Sequence, residues 1–386
     1  MVPSTIFITV AGRCSTRMHM TSRRGYLAAI GTASAIGVAG CMGDDNGDSL
    51  RVGVSQHLVG GDWVTAFYEA GELYAEEEGI SYNVVSHDED SAEQVTDIKQ
   101  FVAEGYDGII VAPFDESVDQ AIDEAANSDI PVFTVNDPGS TDSIKTFTAF
   151  GNAEAGQTCA ELMIENLEDQ YSSQDEYSVL HVRGDFNQAS NARTDGFDEY
   201  IEEQDQIEVI DTIQTDWSIE DSQSTTEEYL SANDAPDGIY ATNMTCGIGV
   251  QNALEQLDLD SPAGEDDHIV HTQPDAGPDV NPLIKDGYID AAVDQPAHFY
   301  IPLAIKQMLD YFEDGDDALP QPGDTVDEED YSFDPIEYEG SQLWEDPIWA
   351  PAEVEEQDGH THVLTAGITV TDENVDNPGL WGNIWG

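Results

Sequence analysis

From Leu50 onward, short apolar and β-branched runs alternate with longer stretches whose apolar positions recur every three or four residues. Leu50–Ser55 (LRVGVS), Ile80–Ser86, Gly108–Ala112 (GIIVA), Pro131–Asn136 (PVFTVN) and Thr146–Phe150 read as strands. Between them, Trp63–Glu78, Ser91–Glu104 and Ser117–Ser128 read as helices. In the first, Trp63, Phe67, Ala70 and Tyr74 fall on one face. The rhythm then repeats. Helices near Ala153–Asp169, Ala189–Glu202, Ile219–Ser231, Gly247–Leu257 and Pro278–Asp286 separate strands at Tyr177–Val182, Ile207–Gln214, Gly238–Thr242, His268–Thr272 and Ile289–Asp294.

Strands joined through helices imply parallel sheets built from right-handed βαβ units. Several strands are continuously apolar, as both-face burial requires. Two such arrays in tandem predict an α/β protein of two doubly wound lobes. Ligands of such sheets bind beyond the carboxyl ends of the strands, so facing lobes predict a small-molecule cleft. Pro296–Glu313 reads as one more helix. The stretch 315–359 is rich in Asp, Glu, Pro and aromatics with little periodicity, His360–Thr371 reads as one strand, and the last eleven residues are turn-rich with Trp381 and Trp385.

The first 49 residues follow another pattern. Ser22-Arg23-Arg24-Gly25-Tyr26-Leu27 matches a twin-arginine export signal, with Arg23 and Arg24 as the pair. A run of small residues from Ala28 to Gly40 follows, too short to span a bilayer at about 20 residues. It ends in Val38-Ala39-Gly40-Cys41, a lipobox-like sequence that marks Cys41 for lipid attachment. Residues 42–49 read as a polar tether. The expected location is therefore the outer face of the cell membrane, with the protein exported by the twin-arginine route and held by lipid.

Charge changes the picture of the medium. The chain carries 80 acidic and 11 basic residues, a formal charge of −69. Arg13, Arg17, Arg23 and Arg24 precede Cys41 and no acid does, so the processed part keeps seven cations against all 80 acids. In molar salt the Debye length falls to about 3 Å, and a dense carboxylate coat becomes tolerable. The acids spread along regular apolar segments, which fits adaptation to brine, as in salt-loving archaea, rather than a disordered tail. Nucleic acid is excluded as a partner, since it needs a basic face.

Catalytic signatures are absent. The sequence has no GxGxxG after its first strand, no GxxxxGK[ST] and no GxSxG, so it reads as a non-enzyme without a cofactor. Cys159 and Cys246 read as buried thiols, a disulfide between them being the alternative. The pairs His360/His362 and His268/His271 fall short of the three or four convergent ligands of a metal site. Cys246 lacks the two neighbouring histidines of a blue-copper centre.

Several segments, in order, resemble the periplasmic type I sugar-binding proteins, the family of ribose-binding protein: LRVGVSQ, GYDGIIVAPFDESV, IPVFTVND, AFGNAEAGQTCAELM, VLHVRGDFNQASNARTDGF, GIYATN and DGYIDAAVDQP. The likeness runs from Leu50 to about Glu313. It implies two lobes joined by a three-segment hinge that closes on the ligand, in a monomer serving an ABC permease and ATPase. By this likeness Trp63 supplies a stacking ring. Asn136 and Asp137 stand where the family has Asp-Arg, which takes away a positive donor. Arg193 and Asn243 match a ligand-binding arginine and asparagine. Gln273 falls where the family has Asp, Gln295 matches a hinge glutamine, and Gly151-Asn152 echoes the residues after the fifth strand.

The resemblance divides the chain into a leader (1–41), the tether (42–49), a first lobe (50–150 plus 297–359, with an acidic insertion at 315–359) and a second lobe (151–296 plus 360–386). The expected ligand is a monosaccharide. The alternative is a nucleoside or signal-molecule receptor acting in sensing, and a nucleoside would want aromatic rings on both lobes. Arg193→Ala is expected to weaken binding while leaving the fold intact.

Overall fold

A computed structural model describes residues 49–86 and 89–386. Arg23, Arg24 and Cys41 lie outside the described residues. In the first lobe the chain runs β1 (Arg51–Gln56), α1 (Asp62–Glu78), β2 (Ser81–Ser86), α2 (Ser91–Glu104), β3 (Gly108–Ala112), α3 (Asp119–Ala126), β4 (Val132–Val135) and β5 (Ile144–Phe150). It crosses to the second lobe as α4 (Asn152–Gln170), β6 (Tyr177–Arg183), α5 (Gln188–Glu202), β7 (Ile207–Gln214), α6 (Ile219–Ala232), β8 (Gly238–Ala241), α7 (Met244–Gln256), β9 (Val270–Pro274), α8 (Asn281–Lys285) and β10 (Ala291–Asp294). It returns through α9 (Tyr300–Asp314), β11 (Thr325–Val326), the hairpin β12 (Ile336–Tyr338) and β13 (Ser341–Leu343), β14 (Ala352–Gln357) and β15 (His360–Thr365). It ends in β16 (Ile368–Val370) and α10 (Trp381–Ile384).

Local chemistry sets many of the boundaries. Asp90, Asn187, Ser218 and Asn243 each accept a backbone N–H at the start of α2, α5, α6 and α7, a contact typically worth about 1 kcal/mol. Gly79 and Gly105 end α1 and α2 at φ 70° and 68°, where a side chain would strain the backbone. Asn243 explains why α7 starts at Met244 rather than at the predicted Gly247.

The strands form two large sheets and a separate β12–β13 hairpin. The first runs β11-β14-β15-β5-β4-β3-β1-β2, parallel from β15 through β2, with β14 and β11 antiparallel at the edge. The second runs β16-β10-β9-β8-β6-β7, parallel except for β16. β3 is buried at all five residues, and Ile109, Ile110 and Val111 are fully covered, each contributing about 1.5–3 kcal/mol by burial.

Two expectations are corrected. His360–Thr371 is not one strand: β15 pairs with β5 of the first sheet, and β16 pairs with β10 of the second. Residues 360–365 therefore join the first sheet, and the chain passes to the second sheet after Ala366-Gly367. The break has a steric cause, because a Cβ on Gly367 would stand 2.7 Å from the Phe150 ring and 2.9 Å from Val293. The stretch 315–359 is also more ordered than its pattern suggests. β14 extends the first sheet, while Phe333 and Trp344 pack on Tyr74 of α1 at 5.4 and 5.7 Å between ring centroids. Aromatic plating of α1 leaves no periodic signature in a sequence.

Cys159 and Cys246 are free buried thiols, and burial raises the pKa of each. Among the described residues no helix is long and apolar enough to cross a membrane.

Candidate functional site

The residues singled out from sequence stand at or after the carboxyl ends of strands: Trp63 after β1, Asn136 and Asp137 after β4, Arg193 after β6, Asn243 after β8, Gln273 near the end of β9 and Gln295 after β10. Arg193 is the best placed. It sits in α5 only 5% exposed, and its guanidinium makes a fork-to-fork pair with Asp275 at 2.7 and 3.2 Å. Its Nε–H donates to Asn152 Oδ1 at 2.8 Å, and Nη1 donates to the Thr242 carbonyl at 3.1 Å. Burial works against its charge, but the Asp275 carboxylate outweighs it and the pKa of Arg193 is raised. Gln295 completes the cluster: its Nε2 donates to Asp275 Oδ1 at 2.7 Å, and its Oε1 accepts the Tyr300 hydroxyl at 3.0 Å.

Asp275, which the sequence reading did not single out, is the acid that follows β9 and pairs with Arg193. Gln273 was placed at the family's acidic position, but β9 extends to Pro274, so the strand exit falls two residues later. Gln273 is wholly buried, with Nε2 donating to the Asp275 carbonyl at 2.9 Å and the side chain against Gly247. Asp275 leaves the strand at φ 69°, a left-handed backbone uncommon outside glycine, of the kind that gathers at functional sites.

The first lobe supplies a second polar group. Asn136, at φ 64° after β4, donates its amide to Asp137 Oδ2 at 2.7 Å. His57 Nε2 meets the same oxygen at 2.9 Å. His57 follows β1 and was missed as well. The contact requires hydrogen on Nε2, and its ring lies 5.3 Å from that of Phe114. Asp137 keeps 38% of its side chain exposed, so the braced carboxylate still has accessible surface.

Asn243 caps α7: Oδ1 accepts from Cys246 N and Nδ2 donates to Thr245 Oγ1, both at 2.9 Å. Both ends of its amide are thus engaged within the helix start.

Aromatic rings stand on both lobes. Trp63 opens α1, stacked on Phe67 at 5.4 Å and 13°, and Phe114 follows β3 with 39% exposure. On the second lobe, Phe186 after β6 is 69% exposed, and Trp217 follows β7. Trp217 has φ 70°, an outlier for so large a residue, and its ring covers Gly184, where a Cβ would come within 2.7 Å. The sequence reading singled out no aromatic ring on the second lobe. The place of Trp217 at a strand's carboxyl end was the available signal.

Asp294 lies under the site, fully buried. Its Oδ1 accepts Ala276 N–H at 3.1 Å and Trp381 Nε1–H at 3.0 Å. Burial raises its pKa to about 7. The unfolded carboxyl ionises near its ordinary value of 3.8. Between those two values the folded state holds the extra proton, so this group makes stability fall as pH rises from about 4 to 7. Asp294→Asn removes that slope. In denaturant titrations the variant gains on the wild type by on the order of 2 kcal/mol from pH 5 to pH 8. Parallel curves at the two pH values would contradict the assignment.

Elsewhere, an open concavity of about 440 Å³ lies beside Asp198–Val209, and another of about 460 Å³ lies between the end of α9 and Tyr331. Neither holds the Arg193 cluster, and the converging polar and aromatic groups favour the cleft as the site. Among the described residues no group of three or more His, Cys, Asp or Glu is arranged to hold a metal. His268 bonds Asp290 at 3.0 Å, and the rings of His360 and His362 lie tilted against each other with centroids 4.7 Å apart.

A family model described as a periplasmic binding protein domain matches residues 52–316. The chain belongs to this family. Among curated periplasmic binding relatives, the xylitol-binding protein of Mycolicibacterium smegmatis is 24% identical over 244 residues, 62% of this chain and 68% of that protein. The galactofuranose-binding protein of Escherichia coli is 25% identical over 275 residues, 69% and 83% of the two chains. A solved arabinose-binding protein from Geobacillus stearothermophilus superposes with a TM-score of 0.66 at 20% identity, covering 85% of this chain and 98% of that one. That likeness carries the two-lobed periplasmic binding fold, with mostly parallel sheets in each lobe.

Proposed function

We propose that this protein is the extracytoplasmic solute-binding component of an ABC importer, taking one monosaccharide or similar polyol between its lobes. The observation that carries the reading is the pairing of two braced polar groups with aromatic faces. Arg193, Asp275, Asn152 and Gln295 stand on the second-lobe side, and Asn136, Asp137 and His57 on the first. A sugar presents a rim of hydroxyls and faces of C–H. Carboxylates, amides and a guanidinium suit the rim, and Trp63, Phe114 and Trp217 suit the faces. Relatives named for xylitol, galactofuranose and apiose support a small polyhydroxylated ligand.

In this reading the described lobes are exported through the Arg23-Arg24 signal and held by lipid on Cys41, as a monomer read by a permease and its ATPase in a saline medium. The first lobe takes residues 50–150 and 297–365, and the second takes 151–296 and 366–386. A nucleoside is the second reading. Aromatic rings on both lobes, Phe114 and Trp63 against Trp217 and Phe186, meet the condition it sets.

A melting series in molar KCl with pentoses, hexoses, polyols and nucleosides separates these readings. A ligand that binds only the native state raises the midpoint, by about 2.7 kcal/mol of stabilisation at a hundredfold excess over Kd. The proposal expects a shift from a monosaccharide or polyol. Shifts from nucleosides alone would move it to the second reading, and no shift from any of them would count against both.

A further inference from the structure

The short helix α10 is held at both ends by indoles, and the two anchors lie on different lobes. Trp381 donates Nε1–H to Asp294 at 3.0 Å. Trp385 donates Nε1–H to Glu69 Oε2 at 2.9 Å, and Glu69 belongs to α1 of the first lobe. We propose that α10 is an interlobe strap: its two indole N–H groups tie the floor of the ligand site to the first lobe and limit how far the cleft opens.

Each anchor is built in. On the second-lobe side, Gly382 packs on Gly277 so closely that a Cβ would stand 2.7 Å from its Cα. A Cβ on Gly277 would in turn meet the Trp381 ring at 2.9 Å. Asn281 of α8 donates its amide to Asn383 Oδ1 at 3.0 Å. On the first-lobe side, Glu69 also accepts the Tyr338 hydroxyl from the insertion, and the Tyr338 ring lies 5.4 Å from that of Trp385 at 33°. The insertion and α1 thus form a socket for Trp385.

The second-lobe anchor is one residue from the site. Asp294 takes the Trp381 N–H and the Ala276 N–H on the same oxygen, and Ala276 follows the left-handed Asp275 that pairs with Arg193. The strap's sense follows from placement. Asp294, Gly277 and Met244 all lie at or just past the carboxyl ends of β10, β9 and β8. Glu69 lies about two turns along α1 from Trp63, which follows the carboxyl end of β1. Opening moves the carboxyl ends of the two sheets apart, which stretches α10 between its anchors. An intact strap therefore favours the closed side of the hinge equilibrium. In its effect on affinity, this inference rests on the reading of the cleft as a ligand site.

The test uses spin labels on Glu116→Cys and Gln188→Cys, both exposed and placed beyond the carboxyl ends of β3 and β6 in different lobes, with the protein in molar KCl. Trp385→Phe keeps a ring in the socket and loses the N–H. Glu69→Gln leaves both indoles in place and weakens the acceptor. Without any ligand, the strap predicts a longer-distance population in each variant that the wild type lacks. A probe sugar that binds the wild type, taken from D-xylose, xylitol, L-arabinose and D-ribose, should bind the variants roughly five- to tenfold more weakly, the scale of one ordinary net hydrogen bond. The double variant should add little to either single one. Distance distributions identical to the wild type in both folded variants would overturn the strap. Failure of every probe sugar would strike the ligand reading alone, because the distance arm needs no ligand.

Discussion

Arg193→Ala abolishes tight ligand binding and also costs the fold about 3–5 kcal/mol. The second effect reverses the expectation drawn from sequence, that the fold would be indifferent. Arg193 is buried, and the change strips Asp275, Asn152 and the Thr242 carbonyl of a donor together. An ion pair broken from one side leaves a carboxylate buried without its counter-charge, which is the costly case. Removing both partners is milder, so Arg193→Leu with Asp275→Leu should recover part of the stability and none of the binding. Affinity should fall by two orders of magnitude or more, since a lost guanidinium leaves sugar hydroxyls and the carboxylate unpaired at once. Calorimetric titration and denaturant melts on the same samples separate the two losses. Arg193→Ala with wild-type stability would show that the buried pair contributes nothing net, and wild-type affinity would remove Arg193 from the site.

Transfer from molar to millimolar salt should unfold the protein. The part after Cys41 carries 80 acids against seven cations, and several of those cations are already committed. Arg193 is spent inside the fold, while Lys99, Lys145 and Lys285 pair with Glu124, Asp316 and Asp376. The remaining carboxylates repel one another over the Debye length, which grows from about 3 Å at 1 M to about 30 Å at 0.01 M. Against a net stability of about 5–15 kcal/mol, that added self-repulsion decides the state. Circular dichroism along a KCl series should show cooperative unfolding between these limits, with neutral osmolytes unable to replace the salt fully. A melting midpoint independent of salt would undo this account of the charge.

The two-lobed architecture was legible because it rests on periodicity. Continuous apolar strands such as GIIVA and one-faced helices such as α1 announce themselves. Boundaries that depend on tertiary contact were not legible. The break at Gly367 is set by Phe150 and Val293, far away in sequence, and the insertion is ordered by rings against Tyr74. The site was half legible for the same reason. Arg193 and Gln295 stood in recognisable segments. Asp275 was hidden by a strand two residues longer than its pattern, and His57 gains meaning only when β4 brings Asp137 beside it. Trp217 was not singled out, because its place over Gly184 is a tertiary contact that leaves no pattern in the sequence.

The central claim is that a small polyhydroxylated ligand is enclosed between the lobes by closure of the cleft. Small-angle scattering in molar KCl, with and without the sugar that raises the melting point, tests it most directly. The account predicts a smaller radius of gyration in the bound state, lost in Arg193→Leu/Asp275→Leu. Saturating ligand with an unchanged radius of gyration would mean that binding occurs without closure, and would contradict it.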